Sequence, residues 1–287
     1  MHRNNKVRKL NIWLIGGDER QAVLAGLLCS DGHRVHVHGL EQRLLGEPDL
    51  AKIDEADCVI LPLPAVGPNG TLHTPFSKLK LSPEAVLDHL KPGQLVLAGK
   101  PNAALKAMAE QRDLVLRDYF AREELAVLNA IPTAEGAIRI AMERLPVTVH
   151  GSRIMILGFG RLGQALAPRL RNLGADVRAV ARRPEQRALA NSMGIESEHP
   201  DEIVEWLHLY DLVINTVPTQ ILGVEELTAL KEGAVVIDLA SLPGGVDDES
   251  AAALNVTVIH ALSLPGKEAP LTAARYLQET IYQMLES

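Results

Sequence analysis

The stretch RIMILGFGRLG, residues 153–163, decides the fold of this chain. It begins with a continuous apolar run, which is typical of a strand buried on both faces. The run ends on Gly158, Gly160 and Gly163 in the spacing G-x-G-x-x-G, and apolar residues then recur at helical spacing. The first glycine permits the tight turn, the second lets a pyrophosphate approach the backbone, and the third lets the helix pack on the strand. Strand, glycine turn and helix in this order indicate a Rossmann dinucleotide-binding domain.

The choice of dinucleotide is read at the end of the second strand, about 20 residues after the glycines. An NAD-selective domain places Asp or Glu there, whereas this chain has Arg182 and Arg183. Guanidinium groups suit a ribose 2′-phosphate, so the sequence favours NADP over NAD, with Arg182 as the better contact and a solvated arginine pair as the alternative. The residues expected to contact the cofactor are Gly158, Phe159, Gly160, Arg161, Leu162, Gly163, Ala181, Arg182, Arg183, Asn215, Thr216, Val217 and Pro218.

Strands and helices alternate along the whole chain, which predicts an α/β fold with two open, doubly wound parallel-sheet domains. Residues 1–130 are expected to form a flavodoxin-like or Rossmann-like domain on the substrate side, because the glycine turn at residues 16–18 lacks the spacing of a cofactor loop. Residues 131–150 are predicted to form an interdomain helix, and residues 151–270 the cofactor domain. A last helix, residues 271–287, is expected to return to the first domain.

Two prolines stand inside predicted helices. Pro132 interrupts an apolar helical pattern over residues 123–145, which predicts two helices, the second capped by Thr133. Pro168 lies within the helix after the glycine turn, where it should cost about 3 kcal/mol and force a kink. The sequence offers no compensating feature for Pro168.

Composition excludes several classes of function. The chain of 287 residues carries a net charge of −7 and only 3% aromatic residues, which disfavours binding to nucleic acid backbones or bases. No apolar run approaches the roughly 18 residues of a membrane-spanning helix, so no membrane association is expected. We therefore expect a cytoplasmic protein, and a homo-oligomer.

The cysteines and two of the histidines are interpreted as structural. Cys29 and Cys58 fall in apolar segments and are expected to be buried small hydrophobes. His36 and His38 share one face of a predicted strand, but no third ligand is placed by the sequence. They are therefore predicted to be solvated side chains, and no metal site is expected.

Several segments from both halves of the chain resemble one family, the A subunits of dipicolinate synthase. The resembling segments are IGGD (15–18), VILP (59–62), LNAIPTAEG (128–136), HGS (150–152), LGFGRLG (157–163), INT (214–216), DLAS (238–241) with PGG (243–245), and LPG (264–266). The chain departs from the family pattern at Lys267, Glu268, Leu271 and Ala274.

The resemblance implies a specific reaction and partner. The family oxidises dihydrodipicolinate, formed from 4-hydroxy-tetrahydrodipicolinate, to dipicolinate, the calcium-binding acid of bacterial endospores. NADP is the oxidant and NADPH the product, and the enzyme works with a flavoprotein-like B subunit. A place in the mother-cell compartment of a sporulating bacterium follows from the same resemblance.

Candidate residues for such a dicarboxylate substrate are taken from the carboxyl ends of the predicted strands, where open α/β sheets bind ligands. The substrate-binding candidates are Arg20, Thr133, Ser241 and Lys267. Arg20 would clamp a carboxylate, or would be an exposed charge on a first helical turn. The ring proton would be taken by Asp18, which could instead only cap its helix, or by Glu135, which could be a helix-favouring first-turn residue.

Two other functions fit the same pattern. A two-domain dehydrogenase acting on another small keto, hydroxy or amino acid would share this architecture. A non-catalytic protein that senses nucleotides and positions a partner enzyme would also bind the dinucleotide. Turnover by the chain distinguishes an enzyme from such a sensor.

Overall fold

The computed structural model describes residues 9–46 and 49–286. The strands are β1 Asn11–Ile15, β2 Arg34–His38, β3 Cys58–Ile60, β4 Leu95–Ala98, β5 Val115–Asp118, β6 Arg153–Leu157, β7 Asp176–Val180, β8 Glu196–Glu198, β9 Leu212–Asn215, β10 Val235–Asp238 and β11 Thr257–His260. The helices are α1 Glu19–Ser30, α2 Pro83–Leu87, α3 Ala103–Glu110, α4 Glu123–Arg144, α5 Arg161–Asn172, α6 Pro184–Ser192, α7 Val224–Thr228, α8 Asp248–Ala253, α9 Leu264–Glu268 and α10 Pro270–Glu286. The chain divides into two compact units, unit 1 up to Leu128 and again from Ala269, and unit 2 from Asn129 to Glu268.

Unit 1 is built on a parallel five-stranded sheet in the order β2-β1-β3-β4-β5. This is the flavodoxin-like doubly wound order, in which the chain direction across the sheet reverses between β1 and β3. Successive residues of β1 are buried on opposite faces, Ile12 and Leu14 in one core and Trp13 and Ile15 in the other. Both faces of the sheet are therefore covered, as parallel sheets require.

The C-terminal helix α10 belongs to unit 1, which confirms that it returns to the first half of the chain. Leu277 and Ile281 pack in the same core as Leu24 and Leu28 of α1. At the surface of this contact, the Asp31 carboxylate accepts hydrogen bonds from the Tyr282 hydroxyl at 2.6 Å and from the Gln278 side-chain amide at 2.8 Å.

Unit 2 is built on a parallel six-stranded sheet in the order β11-β10-β9-β6-β7-β8. Read from β8, and with the six strands counted from β6, this is the Rossmann order 3-2-1-4-5-6. The reversal lies between β6 and β9, directly where the glycine-rich turn follows β6. Ile154 and Ile156 face one core, Met155 and Leu157 the other, so that the strand is buried on both sides as its apolar run predicts.

The prediction of two helices around Pro132 was wrong, because α4 runs unbroken from Glu123 to Arg144 with Pro132 inside it. The Thr133 hydroxyl does not cap a helix N-terminus but donates to the Asn129 carbonyl, one turn earlier, at 2.7 Å. Pro132 lacks the N–H that would bind the Leu128 carbonyl, so the Thr133 contact lies at the next carbonyl along the helix and does not replace the lost bond. Glu135 consequently lies in the middle of a helix and not in a first turn.

Helix α5 likewise continues through Pro168, from Arg161 to Asn172. The Arg169 guanidinium donates to the Ala165 carbonyl at 2.6 Å, one turn before it. Pro168 removes the donor to the Gln164 carbonyl, so this contact lies at the next carbonyl along the helix and does not replace the lost bond.

Two side-chain predictions were wrong in unit 1. Cys29 is exposed near the end of α1, whereas Cys58 is buried in β3 as predicted, where burial raises the pKa of its thiol to about 12. His38 is buried and His36 stacks on Trp13, its partner in the neighbouring strand, with ring centroids 5.0 Å apart. The prediction of two solvated side chains was therefore wrong for His38, whereas His36 is half-buried against Trp13.

Among the residues that the structure describes, α4 is long and apolar enough to cross a membrane, with half of its most apolar window buried inside the protein. The expectation that no segment reaches this length was therefore wrong for α4. A single half-buried helix of this kind is also found in the cores of globular domains.

Candidate functional site

The three glycines of the turn after β6 are required for different physical reasons. Gly158 has φ +99°, and a Cβ there would lie 2.3 Å from the Thr216 hydroxyl oxygen. A Cβ at Gly163 would lie 2.2 Å from the Gly158 carbonyl oxygen. At Gly160, by contrast, a Cβ would meet no described atom within 4 Å. The first and third glycines are thus needed by the fold, and only the second leaves open room that a ligand could use.

That room lies at the N-terminus of α5. Gly160 is the N-cap residue of this twelve-residue helix, and no side chain of the described residues caps its first-turn N–H groups. Helix N-terminal N–H groups and the helix dipole favour an anion, and a pyrophosphate is the anion that this turn accommodates in dinucleotide-binding domains. Phe159 is fully buried in the core of unit 2, so it can offer a ligand only its backbone.

Two arginines follow β7 at its carboxyl end. Arg182 and Arg183 are exposed beyond the end of the strand, whereas Ala181 is buried. Arg183 lies 3.5 Å from a Glu185 carboxylate oxygen, and Arg182 has no ion-pair partner among the residues described. Sequence reasoning missed Arg187, whose guanidinium donates to the carbonyls of Ala181 and Arg182 at 2.8 and 2.9 Å and so holds this loop.

The loop after β9 turns its polar side chains into the protein. The Asn215 amide is fully buried, donating to Val217 O and to Asp238 and accepting from Val217 N–H. The Thr216 hydroxyl donates to the Leu157 carbonyl at 2.9 Å, which joins this loop to the glycine turn. Any contact of Asn215 with a cofactor is therefore limited to its backbone, while Pro218 is exposed.

In unit 1, Asp18 and Arg20 form one largely buried pair at the carboxyl end of β1. The Asp18 carboxylate caps α1 by accepting from the Arg20 N–H at 3.0 Å. The Arg20 guanidinium binds both oxygens of that carboxylate, with its closest contact at 2.7 Å, and donates to the Leu63 carbonyl at 3.2 Å. Arg20 is only 6% exposed, so it is not a solvated charge on a first helical turn.

A histidine that sequence reasoning did not select lies beside this pair. The His73 carbonyl accepts from the Gly17 N–H at 2.8 Å, so its segment covers the turn after β1. Burial lowers the pKa of His73, while the Asp18 charge opposes this effect and the Arg20 charge adds to it. No sequence signal marks this residue, because it belongs to a long irregular connection after β3.

The other candidates belong to unit 2. Glu135, Ser241 and Lys267 are exposed and make no side-chain hydrogen bond or ion pair with the part of the chain that the structure describes. The Glu268 carboxylate accepts hydrogen bonds from Nε and Nη2 of Arg139, each at 2.7 Å. The residue after Lys267 therefore has a structural partner. No group of three or more His, Cys, Asp or Glu side chains suited to a metal occurs among residues 9–46 and 49–286.

Two protein families match the chain, one in each half, much as the structure divides it into two units. Residues 11–120 match the N-terminal domain of the dipicolinate synthase A subunit, and residues 131–264 match the D-isomer specific 2-hydroxyacid dehydrogenase, NAD binding domain. The A subunit of dipicolinate synthase from Bacillus subtilis (strain 168) is 35% identical over 288 residues, covering 96% of each chain.

Solved structures agree with these matches over nearly the whole chain. The dipicolinate synthase A subunit from Bacillus halodurans is similar with a TM-score of 0.87 and 29% identity, covering 98% of this chain and 100% of that one. The A chain of dipicolinate synthase from Bacillus subtilis gives a TM-score of 0.87 and 32% identity, covering 99% of this chain and 98% of that one.

The Rossmann strand order, the open glycine turn and the dehydrogenase domain match together define an NAD(P)-dependent oxidoreductase. The first half of the chain and the similarity along its full length narrow this class. The chain belongs to the family of dipicolinate synthase A subunits.

Proposed function

We propose that this chain is the A subunit of a dipicolinate synthase that oxidises dihydrodipicolinate to dipicolinate with NADP. The balance of the reaction is dihydrodipicolinate plus NADP⁺ to dipicolinate plus NADPH and a proton. A nicotinamide cofactor held at the glycine turn would supply the hydride acceptor, and the substrate ring would become aromatic on losing the hydride and a proton. The proposal that the chain binds a dinucleotide is supported by the open space at Gly160, which lies between two glycines that the fold itself requires.

The choice of NADP rests on the loop after β7. Arg182 is exposed, without an ion-pair partner among the described residues, on a loop that Arg187 holds from inside. The place that would carry an acidic residue in an NAD-selective domain therefore carries an available guanidinium group, which suits a 2′-phosphate. NAD is the weaker alternative.

We assign the binding of a substrate carboxylate to Arg20. Asp18 binds Nε and Nη2 of the Arg20 guanidinium and fixes its orientation, which leaves Nη1 as the donor for a substrate carboxylate. Asp18 is thereby committed to Arg20 and to the cap of α1. Glu135 is the remaining candidate for accepting the ring proton, because its carboxylate is exposed and forms no hydrogen bond within the described chain. Thr133, Ser241 and Lys267 remain candidates for further substrate contacts.

The partner and location follow from the family. A second component, the B subunit, is implied by the name of the A subunit that this chain resembles. We propose that the chain works with such a partner in the cytoplasm of a sporulating bacterium.

Absorbance at the reduced-nicotinamide band tests the activity. The full chain, with and without the B subunit, is mixed with NADP or NAD and with freshly generated dihydrodipicolinate. We expect the band to grow with NADP and dihydrodipicolinate, and to grow more slowly with NAD. Binding of NADPH without any growth of the band would overturn the activity, and oxidation of a different small acid instead would overturn the substrate.

A further inference from the structure

Three neighbouring strands of unit 2 are joined at their carboxyl ends by one chain of polar contacts. These strands are β6, β9 and β10, which lie side by side in the sheet. Thr216 after β9 contacts the glycine turn after β6, and Asn215 at the end of β9 binds Asp238 at the end of β10 at 2.8 Å. The carboxyl ends of strands beside the reversal point are where a Rossmann domain binds its dinucleotide.

Asp238 is the centre of these contacts and is only 1% exposed. One carboxylate oxygen accepts from the Asn215 amide and from the Ala240 N–H at 3.0 Å, and the other accepts from the Gly245 N–H at 3.0 Å. The carboxylate thus binds both ends of the loop formed by residues 240–245. A buried carboxylate is tolerated only when such donors surround it.

The glycines of this loop are explained by the same carboxylate and amide. Gly244 has φ +92°, and a Cβ there would lie 2.8 Å from the Asp238 Oδ2 atom. A Cβ at Gly245 would lie 2.3 Å from the Asn215 Nδ2 atom. The backbone of the loop therefore packs directly on the Asn215–Asp238 pair, and no larger residue fits at either position without moving the loop.

We propose that Asp238 is a positioning residue for hydride transfer, holding residues 240–245 in the form that borders the nicotinamide end of the cofactor. The carboxylate acts through the loop backbone, so it needs no contact with the cofactor or the substrate. The loop carries Ser241, whose side chain is exposed. This role extends the proposed function and rests on it for its kinetic readout.

The test compares Asp238→Asn with Asp248→Asn. Asparagine keeps the shape at 238, but its NH₂ group faces an N–H donor from which a carboxylate oxygen accepted, so the loop loses its anchor at one end. We expect kcat for dihydrodipicolinate oxidation, per mole of folded enzyme, to fall about tenfold to hundredfold, with a smaller rise in KM. The exposed Asp248 carboxylate lies 2.7 Å from His260 Nε2, and His260 Nδ1 lies 3.7 Å from Asp238. Asp248→Asn removes the same charge as Asp238→Asn, and its kcat should stay within about twofold of the parent value.

A pair of glycine variants keeps the test decisive if Asp238→Asn fails to fold. Gly244→Ala and Gly233→Ala both place alanine at positive φ, +92° and +76°, so they share the backbone strain. Only at Gly244 does the new methyl group meet Asp238, since no described atom lies within 4 Å at Gly233. Gly244→Ala should lower kcat as Asp238→Asn does, and Gly233→Ala should not.

Equal kcat for Gly244→Ala and Gly233→Ala, or for Asp238→Asn and Asp248→Asn, would overturn the positioning role. The fluorescence of bound NADPH distinguishes failure of the positioning role of Asp238 from failure of the proposed function. If the parent binds NADPH but does not oxidise dihydrodipicolinate, the substrate assignment is wrong. A change in NADPH emission in Asp238→Asn but not in Asp248→Asn would still support the positioning role.

Discussion

At the scale of single residues, the three glycines after β6 belong to one sequence motif but are needed for different physical reasons. All three occupy the same motif, yet Gly158 and Gly163 are required by contacts inside the protein, and Gly160 is not. The open position is the one that a ligand can use. Gly160 is therefore the glycine whose presence in the motif is best explained by the binding of a dinucleotide.

Gly160→Ala should abolish or strongly weaken NADPH binding without loss of stability. The methyl group meets no described atom within 4 Å, but it enters the path of a pyrophosphate at the start of α5. Calorimetric titration with NADPH and urea unfolding measure the two effects. Gly163→Ala is the contrasting variant, since its Cβ would lie 2.2 Å from the Gly158 carbonyl oxygen and should destabilise the fold. A large drop in the stability of Gly160→Ala would make this glycine structural.

Arg182→Asp should weaken NADP binding by about tenfold to hundredfold and leave NAD binding similar or better. The change removes a donor to the 2′-phosphate and offers an acceptor to the ribose 2′-hydroxyl. Titration with both nucleotides measures the ratio of the two dissociation constants. Arg34→Asp, an equal change of charge at an exposed position of unit 1, should leave both constants unchanged. Equal losses for NADP and NAD would refute the 2′-phosphate contact.

Arg20→Lys should lower kcat/KM for dihydrodipicolinate although the positive charge remains. Lysine cannot reproduce the two-point contact that Asp18 makes with the guanidinium, so the charge is no longer held in one orientation. Steady-state rates at saturating NADP show whether KM rises alone or kcat also falls. The exposed Arg34→Lys is the matched control. Parent-like kinetics for Arg20→Lys and Arg20→Ala would restrict the pair to capping α1, and the carboxylate contact would then be sought at Ser241 or Lys267.

At the scale of elements, two helices contain proline and remain continuous. Thr133 in α4 and Arg169 in α5 each follow a proline and donate to a carbonyl one turn earlier. In both helices this carbonyl is the neighbour of the one that proline leaves without its N–H donor. Pattern reasoning treats proline as a break, whereas the structure shows that both helices continue past it.

The junction of α1 and α10 should weaken as the pH falls from about 7.5 to 5.5. His33 Nδ1 accepts from the Leu10 N–H at 3.2 Å, and its other nitrogen lies 3.1 Å from the Tyr282 hydroxyl, so the contacts fit the neutral ring. Burial lowers the pKa of His33 below its ordinary value of 6.5, with Asp31 opposing the effect. The unfolded chain therefore binds a proton first, and the free energy of unfolding falls as the pH drops below about 6.5.

Urea unfolding of the parent and of His33→Gln at both pH values measures this effect. The glutamine cannot titrate, so its variant should lose less stability between about pH 7.5 and 5.5 than the parent does. His208→Gln, at an exposed position, should follow the parent. An identical pH dependence of the parent and His33→Gln would show that the junction does not titrate in this range.

At the scale of the whole molecule, the chain consists of two units with different sheet orders and, we propose, different ligands. Hydrogen exchange of the full chain with and without NADP tests this division. Protection should rise most in β6, β9 and the start of α5, because binding to the native state opposes local opening around the site. Dihydrodipicolinate without NADP should instead protect the start of α1 around Arg20. Protection by NADP confined to unit 1 would reverse the assignment.

The sequence by itself determined the class of fold, both parallel sheets, the glycine turn and the family. These features depend on neighbours along the chain, namely apolar runs, glycine spacing and alternation of strands and helices. The arginines after β7 were also found this way, because their distance from the glycine turn along the chain identifies them.

Only the tertiary structure decided which polar side chains are committed to the protein. Asn215 and Asp238 are 23 positions apart, and Asp31 and Tyr282 are 251 apart, yet each pair is joined by a hydrogen bond. The burial of Arg20, the approach of His73 and the exposure of Cys29 depend equally on distant segments packing together. A sequence pattern indicates which contacts each residue is able to make. Which contacts it does make depends on how segments that are far apart in the chain pack together.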